Sequence, residues 1–336
     1  MTMSTLGDLR QHFLSTRNTT LMKTELSTLV QELTTGQKSD LTAHLGASQT
    51  KVASLDRQLQ ILTSFANANT QTSQFLSVMQ NALGNIEQHR SNASTTLLMI
   101  NDSSTLTQIS DAGYAARGGF DATIQSLNMR SGDRSVFGGN DLDSTPLAPA
   151  QDMIDALKLE IAGLTDAGDI KVAVDAWFNT PGGGFEAAGY QGDTANNLQR
   201  SIDADLNVEI PLRADDTILR ETMAAFALGA LAGDTDVALT TQSRQALQKE
   251  SAEALFSLAA PLASAQGRVG YIESQVEEAS ARIAAQQSSF GIARNTLVSA
   301  DPFETATRLE SVQLQLETHY TLTARLSRLT LTEYLR

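Results

Sequence analysis

The chain has 336 residues but no cysteine, one tryptophan, six prolines and only 5% aromatic side chains. Without cysteine there can be no disulfide, thiolate nucleophile or Cys-ligated zinc. No apolar run approaches the ~20 residues of a membrane-spanning helix, so membrane insertion is not expected. The opening "MTMSTLGDLRQHFL" lacks a basic n-region and an apolar h-region, so no cleaved secretory signal is expected. The four histidines, His12, His44, His89 and His319, stand far apart, and none has the i, i+4 companion of a helical metal site. The acidic triplets "DLD" (141–143) and "DTD" (234–236) lack the later Glu of a calcium loop and read as solvated turns. "PGGGF" (181–185) is Gly-rich, but no Lys-Ser/Thr follows it, so phosphate binding is not expected. A carboxylate metal hydrolase in the acidic middle would need a convergent set of carboxylates, and none is evident. Neither an enzyme nor a cofactor or metal is expected.

What is present is an uneven charge. The formal net charge is −14, and residues 141–240 carry 18 acidic against 5 basic side chains. The flanks together carry 20 acidic against 19 basic. An acidic middle disfavours nucleic acid and anionic lipid as partners. Near-neutral flanks put up little repulsion against self-association.

The flanks also carry helical periodicity. Leu255, Leu258, Leu262, Ala265, Val269, Ile272, Val276, Ala279, Ile283, Gln286 and Phe290 form an a/d row over five heptads. Pro261 within it marks either a helix start or a kink. Val52, Leu55, Leu59, Leu62 and Ala66 keep the same spacing, followed by Leu76, Met79, Leu83, Ile86, Ala93, Leu97 and Ile100. The middle reads differently. "PAQDMIDALKLEIAGL" and "DDTILRETMAAFALGAL" look helical, whereas "GGGFEAAGYQGD" and "SIDADLNVEIPLRAD" have the turns and partial alternation of hairpins. The expected fold is mainly α: an elongated, discontinuous, coiled-coil-like helical rod built from both termini, with a small α+β domain inserted at 140–239. The rod core would take 46–139 and 240–294.

The ends, 1–45 and 295–336, form a third zone of terminal helices. Leu26, Leu29 and Leu33 line one of them, with Gly36 placed as its C-cap. The other starts at Asp301-Pro302 and presents Leu309, Val312, Leu316, Tyr320, Leu326 and Leu329. Burial of these six would yield roughly 9–18 kcal/mol at ~1.5–3 each. Backbone ordering costs on the order of 1–2 kcal/mol for each of some 35 residues. Such helices are marginal alone, so these nine residues are expected to form an assembly interface beyond their own chain.

Two stretches carry a family resemblance. "LNMRSGDRSVFGGNDLDSTPLAPA" (127–150) resembles the Phe-Gly-Gly segment of bacterial flagellar hook–filament junction proteins, hook-associated members of the flagellin superfamily, where the helical core enters the outer domain. Phe137, Gly138 and Gly139 would be that domain junction. "SADPFETATRLESVQLQLETHYTLTARLSRLTLTEYL" (299–335) is similar to the C-terminal helix of flagellins and junction proteins, through Asp301-Pro302, Leu309, Leu316, Tyr320, "LSRL" and Tyr334-Leu335. Leu33, Gly36 and Lys38 match the family's L-x-x-G-x-K/R signal. Many members continue into a double Asp, and "LTAHLGAS" (41–48) stands there instead, which favours a junction protein over flagellin. The resemblance implies a structural subunit joining hook to filament. It also implies export through the flagellar type III apparatus, and an extracellular place at the junction. The implied partners are other copies, a neighbouring hook-associated protein, flagellin and an export chaperone. Flagellin itself is the alternative.

Overall fold

A computed structural model describes residues 3–328. In chain order the elements are α1 (Met3–Thr35), α2 (Leu41–Leu45), α3 (Gln49–Leu98), α4 (Leu106–Leu127), β1 (Arg130–Ser131) and β2 (Arg134–Ser135). Next come α5 (Ala150–Glu160), α6 (Ala167–Asn179), β3 (Gln199–Asp203), β4 (Leu206–Glu209) and α7 (Thr217–Gly233). The chain continues through α8 (Thr241–Ser257), α9 (Ala259–Val298) and α10 (Pro302–Arg328). The fold is mainly α, with two small antiparallel hairpins. No helix among the described residues is long and apolar enough to cross a membrane. The contacts divide into two units. One takes the described residues up to Thr63 together with those from Ala285 on, and the other is Ser64–Ala284.

In the first unit α1 pairs antiparallel with α10. Arg308 meets Glu25 at 3.0 Å, and Thr19 Oγ1 lies 3.4 Å from His319 Nδ1. α1 ends where Gly36 adopts φ +69°, a left-handed conformation that glycine takes without strain. The next residues are held at once. Ala300 N–H donates to Gly36 O and Lys38 N–H to Val298 O, both at 2.9 Å. Glu32 accepts from Ser39 N–H at 2.9 Å and from Lys38 Nζ at 3.1 Å. Burial alone would raise its carboxyl, but the Ser39 amide and the Lys38 ammonium outweigh that and hold it below its ordinary range. Gly36 and Lys38 therefore have one local cause, a helix stop braced by the Glu32 carboxylate. Opposite, Asp301 caps α10 by accepting from Phe303 and Glu304 N–H at 2.8 and 3.1 Å. Val52, Leu55 and Leu62 are buried in this unit, and Asp56 pairs with Arg294 at 2.5 Å.

In the second unit the heptad rows meet as their spacing predicts. Leu76, Met79, Leu83, Ile86 and Leu97 are fully enclosed, as are Leu255, Ala265, Val269 and Ala279. Gln80 Nε2 donates to Gln266 O at 2.9 Å and Arg90 Nη1 to Leu255 O at 2.7 Å. Pro261 lies in the first turn of α9, so it marks a helix start. The row ends at Ile283: Gln286 is exposed and Phe290 only half-buried. One buried cluster runs from Phe75 to Ala279 and takes in α4 to α8 and the β3–β4 hairpin.

The helix at its centre is α7, apolar on nearly every side. It lies within 140–239 yet packs on α4 and α8. Glycine makes this closeness possible: a Cβ on Gly113 would overlap the Gly233 backbone, and one on Gly119 would overlap the Phe226 ring. Arg244 closes the end of α7. Its guanidinium donates to Ala232 O, Asp234 O and Val237 O at 2.9, 2.6 and 2.6 Å. "GGGFEAAGYQGD" departs from the expected hairpin. Residues 185–189 form a single helical turn, and Tyr190 makes only one isolated bridge, to Leu147. The glycines explain the difference. Gly184 lies flat against the Trp177 indole, and Gly183 sits against the Ala176 and Trp177 carbonyls, so this loop packs under a helix end.

Candidate assembly surface and the Phe-Gly-Gly crossing

Seven of the nine expected interface residues are described, and they fall into three groups. Leu29 and Val312 are buried at 5% and 4% exposure, spent on the α1–α10 pairing itself. Leu26, Leu309 and Leu316 are half-buried. Leu33 and Tyr320 are open at 43% and 45%. Lys23 Nζ sits 5.9 Å from the Tyr320 ring centre, so even this exposed ring has a cation–π neighbour. Leu329 and the Leu326 side chain lie outside the described residues.

Sequence reasoning missed a second apolar row. Leu21, Leu314 and Leu322 are exposed and, with Met22, line a shallow groove of about 490 Å³ along the helix pair. Asn18, Gln315, Thr318 and His319 complete its lining. Phe13, Leu14 and Val30 are exposed elsewhere on α1. A row through Leu14 and Leu21, one heptad apart, was the available signal. Of the row expected from the sequence, the helix pairing buries Leu29 and Val312 and leaves Leu33 and Tyr320 open.

The Phe-Gly-Gly segment is a buried crossing inside the second unit. Phe137 is fully enclosed, and its carbonyl accepts from Ala214 N–H at 2.9 Å. Gly138 O accepts from Asp193 N–H at 3.0 Å. A Cβ on Gly138 would overlap Asp141 O, and Gly139 takes φ +68° with Arg213, Asn196 and Asp193 within 3.1 Å of its Cβ position. Tyr190 donates to Asp193 O at 3.0 Å. Burial, and then the Asp215 charge, push its phenol well above the ordinary range. Arg213 grips Asp215 through Nε and Nη2 at 2.8 and 3.0 Å. Three strands of chain, around 137, 193 and 213, are thus tied at one point, and only glycine leaves room for it.

Among the described residues no three His, Asp or Glu side chains gather as a metal site. The arrangement can hold chain segments together and present apolar helix surface.

Comparison with known proteins agrees with that character. Residues 252–335 match the C-terminal helical region of bacterial flagellin. No curated protein is matched by sequence. The fold resembles a solved structure from Vibrio parahaemolyticus described as a flagellar hook-associated protein, with TM-score 0.53 and 12% identity, covering 76% of this chain and 99% of that one. Bacillus cereus FlgL is also matched, with TM-score 0.45 and 12% identity over 68% and 98% of the two chains. Residues 252–335 are thus similar to the C-terminal helical region of bacterial flagellin, and the chain has a fold similar to that of the Vibrio parahaemolyticus protein.

Proposed function

We propose that this flagellar structural subunit joins the hook to the filament, without enzymatic activity. It would be exported through the flagellar type III apparatus without a cleaved signal and act outside the cell. Its terminal helices, 1–45 and 295–336, would bind other copies, a neighbouring hook-associated protein and flagellin, with an export chaperone covering them beforehand. The helical segments 46–139 and 240–294 would form the next layer. Segment 140–239 would face outward except for α7, which is built into the helices. The observation that carries this reading is the apolar surface left open on the α1–α10 pair, at Leu21, Leu33, Leu314, Tyr320 and Leu322. A helix pair that has already buried Leu29 and Val312 has no internal use for a second apolar row, and such surfaces mark interaction sites.

Flagellin is the second reading, because residues 252–335 match flagellin itself. Stoichiometry separates the two. Electron micrographs of cells lacking this protein should show hooks without filaments, and gold-labelled antibody should mark a single zone at the hook end. Label along the whole filament would overturn the junction role in favour of flagellin.

A further inference from the structure

Beside its buried seam α9 has an open side. Ser264, Gly267, Arg268 and Tyr271 stand at i, i+3, i+4 and i+7, so they share one helix face. With Ile272 and with Pro211, which follows β4, they line a groove of about 520 Å³. Gly267 has open space where a Cβ would stand, so the helix leaves a hollow there. Tyr271 is 65% exposed. Arg268 is exposed and makes no hydrogen bond or ion pair among the described residues. An open tyrosine and an unpaired arginine beside an apolar hollow are the residue types that anchor protein interfaces.

We propose that this groove receives the tip of the β3–β4 hairpin of a second copy of this chain, with Asp205 against Arg268 and Leu206 in the hollow. The tip is a two-residue turn, Ala204-Asp205, between the paired Asp203 and Leu206. Charge selects it. The exposed large apolar side chains of the acidic segment 141–240 are Leu159, Val172 and Leu206. Leu159 and Val172 each follow a lysine, whereas Leu206 follows Asp205, an exposed carboxylate with no ion pair among the described residues. The hairpin of the same chain cannot fill the groove. Its base walls the groove at Pro211, and its tip is held at the other end, where Asp203 meets Arg282 at 3.6 Å. Arg282 lies fourteen residues along α9 from Arg268, about 21 Å at a rise of 1.5 Å per residue. The contact therefore joins different patches of two copies, and such a heterologous contact repeats into a ring or a helical row. The inference rests on the reading that the chain self-assembles.

A hairpin tip covers far less than the ~1,000 Å² of a stable interface, so the single contact is weak and is best read by trapping. The chain has no cysteine, which lets single cysteines report the contact cleanly. Full-length Leu206→Cys and Ser264→Cys are mixed under mild oxidation, and the mixed disulfide is followed by gel and mass. It should form several-fold faster than either homodimer. It should also outpace Leu206→Cys mixed with Tyr114→Cys, a position 71% exposed on another helix. Arg268→Glu in the Ser264→Cys copy should slow trapping about fivefold, as befits an exposed ion pair, and Asp205→Arg in the other copy should restore it. Trapping no faster than with Tyr114→Cys overturns the proposal. Leu206→Cys homodimers that form as fast as the mixed dimer overturn it in favour of a tip-to-tip contact. Charge reversal without effect, or without rescue, overturns the pairing of Asp205 with Arg268. Sedimentation of the parent reads assembly separately. Oligomers in the parent without trapping sink this contact alone, and a monomeric parent without trapping sinks the assembly reading with it.

Discussion

Gly113→Ala should destabilise the second unit although alanine is the better helix residue. Within α4 two glycines offer a matched comparison. Gly118 has open space where its Cβ would be, whereas the Cβ of residue 113 would fall on the Gly233 backbone. Alanine in a helix interior gains up to ~1 kcal/mol over glycine, and both positions receive that gain. At 118 nothing opposes it, so Gly118→Ala should stabilise by about 0.5–1 kcal/mol. At 113 the neighbour is main chain, which cannot rotate aside, so α7 must move as a body. Overpacking costs typically ~1–3 kcal/mol, and a backbone clash belongs at the upper end. The net expectation is a loss of about 2 kcal/mol, or ~0.7 M in urea midpoint at a slope of ~3 kcal/mol/M. The assay is urea unfolding of the two variants followed by far-UV circular dichroism. Gly233→Ala should repeat the loss, and the double variant should cost less than the sum, because a helix already displaced makes room for both methyls. If Gly113→Ala unfolds at the same urea concentration as Gly118→Ala, α4 and α7 are not in backbone contact and the account of α7 as the central helix is wrong.

The other two predictions concern the first unit. Glu32→Gln should cost about 1–2 kcal/mol at pH 7, since it weakens hydrogen bonds made by a charged group. The folded carboxyl is held below its ordinary 4.5, so its stabilisation is present above that value and fades as pH falls through the folded pKa. The gap between the two proteins in thermal melts should therefore close under acid, and a gap that persists at low pH would refute the assignment. Leu314→Asp, at a site 65% exposed, should leave the melting of the isolated chain within ~0.5 kcal/mol and yet abolish filament attachment. Val312→Asp, at 4% exposed, should already loosen α1 from α10 in the free protein. Attachment by Leu314→Asp at the parental level would remove the open row from the assembly surface.

What could be read from the sequence follows from the range of each force. Helix ends depend on neighbours a few residues away, so Gly36 and Asp301-Pro302 were legible in the letters themselves. The α3 and α9 rows were legible because a seam repeated over many turns is a strong periodic signal, and it fails at Gln286 and Phe290, which are exposed and half-buried. α7 was recognised as a helix, but not as the one most enclosed. Its uniform apolarity is equally compatible with a hydrophobic helix of a small separate domain. Glycines such as Gly113, Gly119 and Gly229, which leave α7 close to α4 and α8, distinguish the two, and their meaning requires knowing what lies opposite. The same limit governed the surface. Leu29 and Leu21 are equivalent as letters, and which of them stays open depends on which face α10 covers. Long-range choice of partner therefore decides which apolar residues become core, and in the first unit the α1–α10 pairing makes that choice by covering Leu29 and Val312 and leaving Leu21 and Leu314 open.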